Sequence, residues 1–117
     1  MENIAALQEF LKTPRNIVIT THQKPDGDAM GSSLALYNYL QPLGHEVRVI
    51  SPTEFPAYFG YLPGCDEVWN YLENPSLSQI AIESAELIFC LDFNDLGRIE
   101  PLNEYILKNE TAKLVLI

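Results

Sequence analysis

Four apolar runs punctuate the chain: Ile17-Val18-Ile19-Thr20-Thr21, Glu46-Val47-Arg48-Val49-Ile50, Glu86-Leu87-Ile88-Phe89-Cys90-Leu91-Asp92 and Lys113-Leu114-Val115-Leu116-Ile117. All four read as strands; the first, third and fourth lack the polar alternation of a half-exposed strand and predict buried strands, as in a parallel sheet. Segments with helical spacing lie between them. Ile4, Leu7, Phe10 and Leu11 give residues 2–13 an apolar face, which Thr13-Pro14-Arg15-Asn16 ends. A second helix is predicted from about Ser32 to Pro42, closed by Leu43-Gly44-His45, with His45 as a favourable partner for the helix C-terminus. Ser76 is a good N-cap for a third helix through Ser84, with Leu77, Ile80 and Ala81 facing inward. Leu102, Tyr105 and Ile106 mark a fourth.

Residues 51–64 are crowded with Pro52, Phe55, Pro56, Tyr58, Phe59, Tyr61 and Pro63, which predicts irregular structure with one turn around residues 56–60. These aromatics either cover the sheet edge or stack on a base. Asp66-Glu67-Val68-Trp69-Asn70 reads as a short edge strand. Strand, helix, strand in this order forms right-handed βαβ units. The predicted fold class is therefore α/β: a doubly wound, mainly parallel sheet with helices on both faces. The pattern does not determine the strand order.

With 117 residues and 47% hydrophobic positions, the chain is the size of one domain with a core of its own. A formal net charge of −9 argues against gripping long duplex DNA or other long nucleic acid by bulk charge. A short anionic substrate stays compatible, because bound divalent ions reverse the local field. Cys65 and Cys90 lie in no metal-type spacing and read as reduced thiols of a cytoplasmic protein, Cys90 inside a strand. No signal peptide or membrane span is visible, so no membrane partner is expected.

The densest chemistry lies in His22-Gln23-Lys24-Pro25-Asp26-Gly27-Asp28-Ala29-Met30-Gly31-Ser32, a strand-to-helix turn of the kind where open α/β sheets build their sites. It places one imidazole and two carboxylates within seven residues, a mixed donor set that suits zinc, manganese or iron. If the turn is extended, Asp26 and Asp28 point in different directions and can face two ions. Pro25 fixes φ and Gly27 tolerates unusual backbone shapes. Gly31 and Ser32 would open the helix with little bulk, letting a phosphate approach free N–H groups. The alternative is a plain turn, with Asp26 in an Asx-turn and Asp28 capping the helix. Asp92 is the second anchor, an acid at the C-terminal end of a buried strand. Beyond it, Arg98 either holds a phosphate or pairs with Asp95.

The first of these stretches resembles motif one of the DHH phosphoesterase superfamily, His-x-x-Pro-Asp-x-Asp-Ala-x-Gly-Ser. His22, Pro25, Asp26, Asp28, Ala29, Gly31 and Ser32 fill its fixed positions. Leu91-Asp92-Phe93-Asn94-Asp95-Leu96-Gly97-Arg98 resembles motif two, with Asp92 at the metal-bridging position. The likeness is nearest to the bacterial oligoribonuclease and pAp-phosphatase branch. It implies that His22, Asp26 and Asp92 hold one metal ion. Asp28 and Asp92, with a His and an Asp beyond residue 117, would hold a second. Manganese is the implied metal, with magnesium, cobalt and zinc as alternatives. The substrates implied are short oligoribonucleotides or nucleoside 3′,5′-bisphosphates, and a homodimer is compatible with them.

The family's Asp-His-His motif would follow a strand such as residues 114–117, so the resemblance also implies an N-terminal part of a longer enzyme, weakly active by itself. The competing enzyme reading is a related phosphodiesterase or pyrophosphatase acting on cyclic dinucleotides or pyrophosphate. The competing non-enzyme reading is a Rossmann-like phosphate-binding domain. Against it, a receiver domain has no use for His22 and a Pro-Asp-Gly-Asp turn, and the Gly-x-Gly-x-x-Gly of a dinucleotide fold is missing.

Overall fold

The computed structural model describes residues 4–91 and 99–116. The elements follow in the order α1 (Ile4–Phe10), β1 (Asn16–Thr20), α2 (Gly27–Leu40), β2 (Glu46–Ser51), β3 (Trp69–Asn70), α3 (Pro75–Ser84), β4 (Leu87–Cys90), α4 (Asn103–Lys108) and β5 (Lys113–Leu116). The apolar runs became the strands of a five-stranded sheet in the order β3-β2-β1-β4-β5. Each described pairing is parallel. β1 pairs with β2 from Asn16 opposite Glu46 to Thr20 opposite Ile50, and with β4 from Ile17 opposite Leu87 to Thr20 opposite Cys90.

Alternate side chains of β1, β2 and β4 feed two separate cores, whereas β5, expected to be a buried strand, lies at the sheet edge with only Val115 buried and with Lys113 and Leu116 exposed. Ile17, Ile19, Val47, Val49, Leu87 and Phe89 meet Met30, Leu34, Tyr37 and Leu40 of α2, with Leu7 and Phe10 of α1 packed against the same cluster. On the opposite face Val18, Ile50, Ile88 and Cys90 meet Ile82 of α3 with Leu102 and Ile106 at α4. Helices therefore cover both faces, as the doubly wound class requires. The order changes direction between β1 and β4, so the crevice of this sheet opens where those two strands end.

Three local features differ from the sequence-based expectation. Helix α2 begins at Gly27, not near Ser32, because Asp26 caps it. Helix α3 presents Ser78 and Ile82 to the sheet, while Leu77 and Ile80 are 52% and 62% exposed. The small Ser78 lets the helix approach closely, and Ile82 fills the space above β1 and β4, so the inward stripe is rotated from Leu77 and Ile80. His45 does not serve the end of a helix: its buried ring accepts the Arg15 backbone N–H at Nδ1, 3.1 Å away, which places its proton on Nε2. The irregular stretch behaves as expected, with a 3-10 turn at Ala57–Tyr61. The edge strand shortens to β3, preceded by a 3-10 turn at Cys65–Glu67.

The N-terminal edge of the sheet is tied by Arg15 and Glu86. The Glu86 carboxylate accepts the Asn16 N–H at 3.0 Å and pairs with the Arg15 guanidinium at 3.1 Å. The same guanidinium lies 3.8 Å over the ring of Phe10, joining α1 to the sheet. The Asn16 N–H, and then Arg15, hold the Glu86 carboxyl below its ordinary value of 4.5.

Two outcomes check this architecture. Ile82→Ala is expected to lower stability by about 2–5 kcal/mol in denaturant titration, whereas Ile80→Ala changes it by less than about 0.5 kcal/mol. Because the folded Glu86 carboxyl titrates below its unfolded counterpart, its contribution is complete above pH 4.5 and is lost as pH falls through the lower folded value. The stability gap between wild type and Glu86→Gln should therefore close on acidification, as read by pH-dependent thermal melts.

Candidate metal and phosphate site at the sheet switch point

The segment leaving β1 runs across the C-terminal edge of the sheet before α2 begins. Thr21 still donates its N–H to Ile50 at 3.3 Å, so the chain leaves the sheet at His22. His22 is 7% exposed. Its Nδ1 lies 2.7 Å from the Gln23 carbonyl oxygen. A carbonyl only accepts, so Nδ1 carries the proton and Nε2 presents a lone pair. This arrangement orients a histidine for metal ligation, with the second nitrogen held by a backbone acceptor. Nε2 has no hydrogen-bond partner among the described residues.

Lys24 takes a left-handed conformation, φ 50°, and donates its N–H to the Thr53 hydroxyl at 2.7 Å. Thr53 in turn is tied to the end of β2, because the Ser51 hydroxyl donates to its carbonyl at 2.6 Å. Gln23 reaches the other way, donating its side-chain amide to the Glu100 carbonyl at 2.9 Å. The loop is thus fixed on both sides, to the chain after β2 and to the chain after β4. Neither Gln23 nor Thr53 carries any sequence signal for this role, since each acts through a tertiary contact.

Asp26 ends the loop as the N-cap of α2. Its Oδ1 accepts the Ala29 N–H at 2.9 Å, and its carbonyl accepts the Met30 N–H at 2.9 Å. Gly27 is consequently helical, and the position with unusual backbone is Lys24. Asp28 lies in the first turn, exposed, with no hydrogen bond to its carboxylate among the described residues. The two acids are separated by a helical turn, not by an extended one, and Asp26, not Asp28, is the cap. Gly31 and Ser32 fall in the second turn, so at this helix end the N–H groups of Gly27 and Asp28 are left without a partner among the described residues. The Ser32 hydroxyl donates to the Asp28 carbonyl at 2.6 Å. A Cβ at Gly31 would meet nothing within 4 Å.

The donors fit a divalent cation in kind: a neutral imidazole nitrogen, the second oxygen of Asp26 and both oxygens of Asp28. Among the described residues no three such groups close into a metal-sized cluster. Asp92 and Arg98 lie outside the described residues. The last described residue after β4 is Leu91, beyond Cys90, which stands opposite Thr20. Cys90 itself is buried beneath this edge, its thiol pushed up to about 11 by burial, so it is an inert neighbour. Cys65 is likewise free and buried. Among the described residues, no helix is long and apolar enough to cross a membrane.

Comparison with known proteins places this geometry in a family. The model of the DHH family, N-terminal domain, matches residues 16–117. The bifunctional oligoribonuclease and PAP phosphatase NrnA of Thermus thermophilus is 38% identical over 88 residues, covering 73% of this chain and 26% of that protein. The crystal structure of an exopolyphosphatase-related protein from Bacteroides fragilis superposes with a TM-score of 0.92 at 33% identity, covering 97% of this chain and 33% of that one. The chain thus spans about a quarter to a third of the length of these relatives.

The cap predicts how the two acids differ. Asp26→Ala should lower stability by about 1 kcal/mol through loss of the cap, and Asp26→Asn should retain most of it. Asp28→Ala should lie within about 0.5 kcal/mol of wild type, all three read by urea titration.

Proposed function

The chain belongs to the DHH family, and from that premise we propose that it forms the N-terminal part of a metal-dependent phosphoesterase. Its substrates would be short oligoribonucleotides and nucleoside 3′,5′-bisphosphates. The observation that carries this reading is the His22 ring at the switch point, with Nδ1–H held by the Gln23 carbonyl and Nε2 without a hydrogen-bond partner among the described residues. The name of the Thermus thermophilus relative supports the substrate class.

His22, Asp26, Asp28 and Asp92 would hold divalent cations, with manganese as the first choice and magnesium or cobalt as alternatives. Bound there, the cations would supply a water of lowered pKa and neutralise phosphoryl oxygens. The chain's own residues have separate tasks. His22 is oriented before any ligand arrives, because its tautomer is set by the backbone. Asp26 has two oxygens in different roles: Oδ1 holds the helix cap, and Oδ2 remains for the cation. That division fixes the carboxylate without cancelling its charge. Asp28 stands one residue into the helix with its carboxylate uncommitted. The free Gly27 and Asp28 N–H groups face the same end of α2 and favour an anion there. Buried Pro25 and the Lys24–Thr53 bond hold the loop against the β2 side, leaving little reorganisation for binding.

The likeness to the exopolyphosphatase-related protein of Bacteroides fragilis favours one competing substrate class, phosphoanhydrides. Both classes are tested in one assay. The full-length protein carrying this chain should hydrolyse oligoribonucleotides of two to five nucleotides and adenosine 3′,5′-bisphosphate in manganese, and lose turnover in EDTA. Asp26→Asn should keep the fold and lower kcat/KM by about 100-fold or more. Turnover that survives EDTA, or an Asp26→Asn protein of unchanged activity, contradicts the proposal. Faster turnover of polyphosphate than of any nucleotide would replace the substrate class.

A further inference from the structure

Beside the His22–Asp28 loop lies an open cleft of about 550 Å³. Its lining includes Lys24, Asp26 and Gly27 from this loop and Glu54, Phe55, Tyr58 and Phe59 from the stretch after β2. The three aromatics divide the work expected of this stretch from sequence. Phe59 is 7% exposed and belongs to the core, and Phe55 is half-buried against it. Tyr58 is 71% exposed. Its ring meets Phe59 edge-on, with centroids 4.7 Å apart and planes at 61°. The buried ring thus supports one edge of the exposed one.

An exposed tyrosine is ordinary by itself. This one lines the same cleft as Asp26 and the Lys24 loop, and one of its edges rests on a core residue. The volume suits a nucleoside, and the rim combines a flat aromatic face with polar and charged groups that can meet ring nitrogens and exocyclic amines. An aliphatic or purely phosphate ligand would leave that face unused.

We propose that Tyr58 is the stacking platform for a nucleobase of the substrate whose phosphate lies at the Asp26 end of the cleft. This rests on the phosphoesterase reading above and adds a subsite to it. Base recognition here would tolerate different sequences, because each base offers a π-face. Residues 51–64 would then act as a substrate wall as well as a cover for the sheet.

The test compares adenosine 5′-monophosphate with ribose 5-phosphate, which differ by the base, in calorimetric titrations of the full-length protein in manganese. The wild type should bind the nucleotide about tenfold more tightly. That ratio should fall to near one in Tyr58→Ala and persist in Tyr58→Phe. It should also persist in Tyr61→Ala, which removes a tyrosine 80% exposed outside the cleft. A wild type that binds the nucleotide no better than the sugar phosphate, including one that binds neither, overturns the subsite. So does a Tyr58→Ala protein that keeps the ratio. Hydrolysis by the wild type is scored separately, so a failed subsite and a failed enzymatic reading give different results.

Discussion

The parallel pairing of β1 with β4, Ile17 opposite Leu87 through Thr20 opposite Cys90, is the constraint on which the rest of the molecule depends. It joins the two halves of the sheet in the middle. The chain after β1 turns to one face through α2, and α3 and α4 pack on the other. Where connections part in this way, no helix covers the strand ends, and backbone and side chains at that edge are free to meet a ligand. The N-terminal edge of the same strands is closed instead, by Arg15, His45 and Glu86. One edge is therefore bonded to itself and the other keeps donors in reserve.

The open edge is ordered by hydrogen bonds that leave its chemistry uncommitted. His22 is positioned through Nδ1, Asp26 through Oδ1, and the loop between them through the Lys24 and Gln23 contacts. Each bond uses one atom and spares another. The left-handed backbone at Lys24 belongs to the same design: a non-glycine residue there is unfavourable by roughly 1 kcal/mol or more, and the Thr53 bond and buried Pro25 offset it. Preorganisation of this kind matters most where charge must be gathered, because donors already held in place need little rearrangement when a charged ligand arrives.

The strands were legible because burial on both faces removes polar residues from the run, and that trace survives in one dimension. The motif was legible because its residues are consecutive. The helix start was not, since Pro-Asp-Gly-Asp reads as a turn to its end, whereas the Asp26 cap lets Gly27 and Asp28 enter the helix at once. The inward face of α3 was not either. Leu77 and Ile80 outweigh Ser78 in hydrophobicity, but close approach to the sheet selects the small side chain. His45 reads as a helix-end residue until the Arg15 N–H, thirty positions away, is brought to its ring. Strand order and the Tyr58 cleft depend on packing between distant segments and leave no local sign. Asp92 and Arg98, which sequence places in the second motif, lie outside the described residues.

We propose the edge carrying His22, Asp26 and Asp28 as the place where this acidic chain would collect a divalent cation. Manganese is paramagnetic, so substoichiometric addition broadens amide signals near the bound ion. Selective loss is expected for the amide signals of residues 21–24, 26–28, 51 and 53, together with Asp92, with Arg15, His45 and Glu86 at the opposite edge unchanged. Broadening centred on other surface acids, or spread evenly over the chain, would contradict it.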